Sequence, residues 1–176
     1  MIEESIAKKL YNGRRRAVKK GELNLNEFSS DITQTEKDII TNIIPSEYKF
    51  LRCNKSQIIF QKNEYMYSVA RFGCDDEIYD GIKVNKKEID IAYEYQHKNI
   101  FPYPEEYSIY VFKTKYIMQI NNTDLPTVKK TGAFTYITDI IDDIDRMNAF
   151  KLTRSQIGYH KQENKVYILD YGHLIK

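Results

Sequence analysis

The residues of this chain that could carry chemistry fall into a few clusters. Close to its end, the apolar stretch Val166 to Leu169 leads into Asp170-Tyr171-Gly172. A carboxylate at the end of a buried strand, followed by a glycine that frees the backbone, is one way to hold a magnesium ion against phosphate oxygens. Close to the start, Arg14, Arg15, Arg16, Lys19 and Lys20 form the only dense basic cluster. Such a cluster is the electrostatic footprint of a phosphate-bearing or acidic partner. Asp139, Asp142, Asp143 and Asp145 could share a helix face, but no histidine or facing carboxylate accompanies them, so a solvated polar face is expected there. His97, His160 and His173 show no metal-ligand spacing, and neither Cys53 nor Cys74 sits in a nucleophile motif.

These residues need a scaffold, and the composition describes one. With 176 residues, 41% hydrophobic and 30% charged, 7 Gly and 4 Pro, the chain is long enough and apolar enough for one packed domain rather than a disordered segment. Two cysteines are too few for a disulfide framework, so a reducing cytoplasm is the expected location. No apolar run approaches the ~20 residues of a membrane span, and the opening MIEESIAKK lacks the apolar core of a signal peptide. A net charge of +2 makes no overall demand for a polyanionic partner. Heavy use of Ile, Lys, Asn and Tyr without Trp fits AT-rich coding, as in a low-GC bacterium or one of its phages.

Periodicity then places the elements. Ile2, Ile6 and Leu10 mark one face of a first helix, which Asn12-Gly13 is expected to interrupt and Gly21 to end. Thr33-Gln34-Thr35-Glu36 matches a capping box ahead of a helix with Ile39, Ile40, Ile43 and Ile44 as its buried stripe and Pro45 at its end. EYKFLRC, SQIIFQ and EYMYSVARFG read as three antiparallel strands. Asn85 to Gln96 reads as a helix capped at Asn85. Tyr107 to Phe112 and Lys115 to Ile120 read as a hairpin turning at Lys113-Thr114. A polar linker, NNTDLPTVKKTG, precedes a helix whose buried face is Ile137, Ile140, Ile141, Ile144 and Met147. A last hairpin turns at Gln162-Glu163-Asn164. The expectation is an α+β fold, an antiparallel sheet with packed helices. Residues 1–44 form an amino-terminal helical segment with the basic cluster, and residues 45–176 form the α+β domain.

From Glu47 onward, this order resembles the beginning of a protein-kinase-like domain: three strands, a helix, two strands, a linker, a long helix, a catalytic loop and a hairpin ending in Asp-Phe-Gly. ILDYG, with Asp170-Tyr171-Gly172, resembles that closing motif. The resemblance implies a kinase amino-terminal lobe plus the start of the second lobe, with Asp170 as metal ligand and, if it extends to binding, ATP and magnesium as cofactors. Arg71 in SVARF is the nearest match to the phosphate-pairing lysine, and Glu88 or Glu94 to its helical carboxylate partner. The departures are chemical. The turn CNKSQ, where a Gly-rich loop would cover phosphates, has no glycine. In AFKLTRSQI, Lys151 stands in place of the catalytic aspartate and Gln156 in place of the magnesium-holding asparagine. The sequence stops soon after Gly172, where an activation segment would follow. The expectation is therefore a truncated, degenerate, pseudokinase-like protein with no catalytic residues, which binds a host or partner protein. Two alternatives stand beside it: a nucleic-acid-binding protein using Arg14 to Lys20, and a working phosphotransferase using Asp170 and Arg71.

Overall fold

The computed structural model describes residues 2–24, 32–73, 80–120, 124–132, 157–169 and 171. The fold is α+β, and the described residues form antiparallel sheets of five and three strands. The chain divides into two compact units: Met1–Ile89 with Pro104–Thr114, and Asp90–Tyr103 with Lys115–Lys176. No helix among the described residues is long and apolar enough to cross a membrane.

In the first unit, helix α1 spans Ile2–Lys19 and runs straight through Asn12-Gly13, correcting the expected break. The reason is packing. A Cβ at position 13 would lie 3.1 Å from Ile39 Cγ2, so glycine lets helix α2, Gln34–Ile43, approach α1 closely. That contact outweighs the ~1 kcal/mol cost of glycine in a helix interior. Gly21 does end the region: at φ +75° it directs the Glu22 amide back to the Ala17 carbonyl at 2.9 Å, which closes the last turn. At the start of α2 the Thr33 side chain accepts the Glu36 amide, the first half of the expected capping box.

Strands β1 (Lys49–Cys53), β2 (Gln57–Lys62) and β3 (Tyr65–Ala70) form the expected meander. Their alternation sorts side chains onto two faces. Ile58 pairs with Val69 and Phe60 with Tyr67, and these four bury Ala7 and Leu10 of α1, with α2 isoleucines packed alongside. Gln57 points to the opposite face, toward helix α3, Gly81–Glu94. This helix starts earlier than Asn85. Its cap is Asp80, whose Oδ2 accepts the Ile82 amide at 3.2 Å, while Asn85 lies fully buried inside the helix. A further correction concerns strands β4 (Glu106–Tyr107) and β5 (Val111–Lys115), which complete the sheet in the order β1-β2-β3-β5-β4. Lys113-Thr114 lies within β5 rather than in a turn. The chain reverses at Ser108, whose hydroxyl accepts the Tyr110 amide and whose own amide reaches the Val111 carbonyl, while Thr114 is buried.

Between α1 and the sheet, the Tyr48 hydroxyl donates to Glu3 Oε1 at 3.2 Å. Burial, then the Glu3 charge, pushes this phenol from 10.0 to about 12. Its proton is thus held more tightly in the folded chain than in the unfolded one. The stability it contributes is fully present below pH 10 and is lost as pH rises through the window up to about 12. Denaturant titrations across that window should show a shallower alkaline loss in Tyr48→Phe than in wild type; parallel losses would contradict this assignment.

In the second unit, strands β6 (Met118–Gln119), β7 (Ile157–His160) and β8 (Lys165–Ile168) form a three-stranded sheet. The β7–β8 hairpin turns where the sequence predicts, with Asn164 at φ 49°. The expected linker contains a short helix, α4, Leu125–Lys130, because Val128 joins a core with Ile91, Ala92, Ile100, Phe101, Ile120, Val166, Ile168 and Tyr171. The helix expected across Ile137 to Met147 lies outside the described residues, as do Asp139, Asp142, Asp143 and Asp145.

Candidate functional site

Arg71 follows β3 directly, two residues beyond Val69, so strand alternation carries it to the face that α1 and α2 cover. Its backbone amide donates to the Ser56 carbonyl at 2.8 Å, and its own carbonyl accepts the Gly81 amide at 3.0 Å. This backbone position is therefore fixed by the β1–β2 turn on one side and the start of α3 on the other. The side chain is 4% exposed and forms a two-point fork with Glu36: Nε to Oε1 at 2.9 Å and a terminal nitrogen to Oε2 at 2.6 Å. The other terminal nitrogen donates to the Asn54 carbonyl at 2.7 Å.

Glu36, itself 1% exposed, also takes a guanidinium nitrogen of Arg14 at 2.7 Å on Oε2. The Glu36 carboxylate thus does not turn back to its own helix cap, which corrects the second half of the capping box. Arg14 Nε reaches the Phe72 carbonyl at 2.7 Å. Leu10, Tyr11, Ile39, Ile58 and Phe72 line the surroundings of the three charges. Burial holds the Arg14 guanidinium below its ordinary value even though Glu36 pulls the other way.

The β1–β2 turn is closed by its own side chain. Asn54 Oδ1 accepts the amides of Ser56 at 2.8 Å and Gln57 at 2.7 Å, and the Asn54 amide donates to the Gln57 carbonyl at 3.0 Å. Those amides are already engaged, so they are not presented to a ligand.

Glu88 lies on α3, buried at the opposite face, where Gln57 Nε2 donates to its Oε2 at 2.9 Å and to Asn85 Oδ1 at 2.8 Å. Glu94 is exposed. Asp170, Lys151 and Gln156 lie outside the described residues. No family model matches this chain, and no curated protein matches it either.

The basic cluster divides. Arg14 turns inward to Glu36, Arg15 packs with its guanidinium 5.9 Å from the Phe72 ring centre, and Arg16, Lys19 and Lys20 are exposed on the last turn of α1 and just beyond it. There they also favour the negative end of the helix dipole. Among the described residues no group of three or more His, Cys, Asp and Glu side chains is placed to hold a metal ion.

A separate polar cluster lies on the β7–β8 hairpin of the second unit. Lys115 donates to Glu163 Oε1 and to the Tyr167 hydroxyl, which donates to Glu163 Oε2. Burial works to raise the Glu163 carboxyl, but the bonds from Lys115 and Tyr167 outweigh it and hold the group below its usual range. With both ends partly exposed, this pair contributes about 0–1 kcal/mol and acts as a hairpin fastener.

The sequence reading missed Glu36 and Asn54. Glu36 was hidden because its position in a capping box already explained it. Asn54 carried a turn signal but no sign of which amides its side chain would take.

Proposed function

We propose that this chain is a non-catalytic, pseudokinase-like binding protein that acts by occupying a partner macromolecule. One observation carries the reading: Arg71, at the place where the kinase-like order calls for a nucleotide-directed cation, is committed to Glu36 in a buried fork. A guanidinium held this way by a carboxylate of its own chain is not presented to a nucleotide. The closed Asn54 turn supports the same reading, as do the lysine and glutamine at positions 151 and 156, where phosphotransfer needs an aspartate and an asparagine. The order of strands and helix in the first unit, followed by a hairpin in the second, supports the kinase-like arrangement. Exposed Arg16, Lys19 and Lys20 suit an acidic surface on the partner.

The reading is tested by thermal unfolding with ATP and magnesium. The expected result is no stabilisation that depends on Asp170. A clear shift in wild type, abolished in Asp170→Ala, would replace this reading with a nucleotide-binding one.

A further inference from the structure

The continuity of α1 through Asn12-Gly13 changes which cations share a surface. In one unbroken helix a face keeps the same members along its whole length, because residues three and four apart lie one above the other. Ala7, Leu10, Tyr11 and Ala17 are buried on the side toward the sheet. Lys8, Lys9, Arg16 and Lys19 are exposed on the opposite side. Lys20, also exposed, prolongs the last turn, its amide donating to the Arg16 carbonyl at 3.0 Å. The dense basic run of the sequence is therefore not the surface that the fold presents. Arg14 leaves it for Glu36 and Arg15 packs by the Phe72 ring, while Lys8 and Lys9, on the far side of the expected break, join it.

The result is a line of positive charge about 18 Å long, at 1.5 Å per residue from Lys8 to Lys20. No carboxylate stands within it. Glu3 and Glu4 lie in the first turn of α1, before the line begins, and Glu3 accepts the Tyr48 hydroxyl. Among the described residues none of the five cations forms an ion pair, although Lys8 lies 5.8 Å from the centre of the Tyr110 ring.

The makeup of this face selects its partner. Between the cations stand only Ser5 and Asn12, so it carries no apolar or aromatic side chain. A helix that lies on an anionic membrane needs an apolar face for the interface, and that of α1 is spent on the core. A protein partner is held mainly by aromatic and apolar anchors in a desolvated centre, which this face lacks. Single strands are gripped by aromatic stacking as well as charge. What remains is a regular linear polyanion read through its charge alone. Four of the five cations are lysines, point charges that suit phosphate oxygens more than the two-point recognition of base edges.

We propose that the exposed face of α1, Lys8, Lys9, Arg16, Lys19 and Lys20, docks along the phosphate backbone of double-stranded nucleic acid without reading its sequence. The inference rests on the reading of the chain as a binding protein and names the class of its partner.

The experiment follows fluorescence anisotropy of a labelled mixed-sequence DNA duplex with the full chain, without magnesium, over a range of salt. With five phosphates neutralised, log Kd should rise with log salt at a slope of about 4 to 5, a loss of about 500-fold between 50 and 200 mM. Lys8→Gln with Lys9→Gln should lower that slope by about 2, and so should Lys19→Gln with Lys20→Gln. Circular dichroism of each variant checks that α1 is intact; all four positions are exposed, and the two pairs test the same line independently.

A slope that Lys8→Gln with Lys9→Gln leaves unchanged overturns the proposal, because the line is then not continuous. Absence of duplex binding by wild type overturns it as well. So does binding to polyglutamate, to single-stranded DNA of the same length or to phosphatidylserine vesicles that is as tight as to the duplex, or a marked preference between two unrelated duplex sequences. None of these outcomes touches the non-catalytic reading, which is decided by the response to ATP and magnesium in wild type and Asp170→Ala.

Discussion

Glu36→Ala should cost this protein about 3–5 kcal/mol of folding stability, the range found when one partner of a buried ion pair is removed. The loss does not come from the ion pair's own strength. Bringing three charged groups out of water is expensive, and their attraction does little more than offset that expense. Truncation leaves Arg71, 4% exposed, and Arg14, 11% exposed, facing each other without the carboxylate that both touch. Two like charges held this close in a largely buried site repel. For a domain whose total stability is about 5–15 kcal/mol, that is about a fifth of it or more. Urea denaturation of wild type, Glu36→Ala, Arg71→Ala and the double variant measures the coupling. The double variant should be less destabilised than the two single losses added together, because removing both partners leaves fewer uncompensated charges. A loss below about 1 kcal/mol in Glu36→Ala would mean that water reaches the clamp, as for a surface pair.

The clamp shows where the sequence was informative. Alternation within SVARF is legible, and it puts Arg71 on the same face as Tyr67 and Val69. What it could not reveal is which helix covers that face. The resemblance directed attention to α3 and its glutamates, but α3 lies on the face toward which Gln57 points, and the helix over Arg71 is α2. Assignments of this kind depend on how helices distant in sequence settle on a sheet. No local pattern encodes that. Glu36 and Arg71 are 35 positions apart, and the i, i+3 spacing from Thr33 to Glu36 supplied a local explanation complete enough to conceal a tertiary one.

The elements themselves were more legible where local chemistry decides them. The three-strand meander and the final hairpin follow from β-branched and aromatic runs bounded by polar turn residues, and Asn164 at φ 49° is the kind of residue such a turn selects. Errors arose where a local signal met a tertiary contact of similar size. Asn12-Gly13 breaks many helices, yet here Ile39 packs against the glycine and α1 continues. Lys113-Thr114 has the look of a tight turn, but Thr114 is buried, and the Ser108 hydroxyl makes a turn earlier in the chain. Asn85 has the composition of a cap and is instead buried within α3, its amide nitrogen donating to the Ile109 carbonyl at 3.2 Å.

Gly81→Ala should destabilise the chain by more than about 3 kcal/mol, beyond the usual cost of overfilling a core. Helix propensity alone points the other way, since alanine is about 1 kcal/mol better than glycine within a helix and Gly81 opens α3. The sign is decided by what the new methyl would meet. A Cβ at position 81 would lie 2.3 Å from the Arg71 amide nitrogen, 2.4 Å from the Ser56 carbonyl oxygen and 2.7 Å from the Arg71 carbonyl oxygen. All three are backbone atoms, so no rotamer change relieves the overlap. They are also joined by the bonds that fix the site: the Arg71 amide to Ser56 and the Gly81 amide to Arg71. Accommodating the methyl means moving α3 off the sheet or parting the β1–β2 turn from Arg71. Gly21→Ala is the contrasting case, because nothing lies within 4 Å of its new Cβ and its cost is confined to the strained backbone at φ +75°. That variant should lose about 1–2 kcal/mol. Chemical denaturation of both should therefore rank Gly81→Ala as the more damaging, with its loss accompanied by faster amide exchange at Arg71. If Gly81→Ala proved neutral or stabilising, α3 would not sit against the Arg71 backbone, and the framework that aims Arg71 at Glu36 would have to be drawn differently.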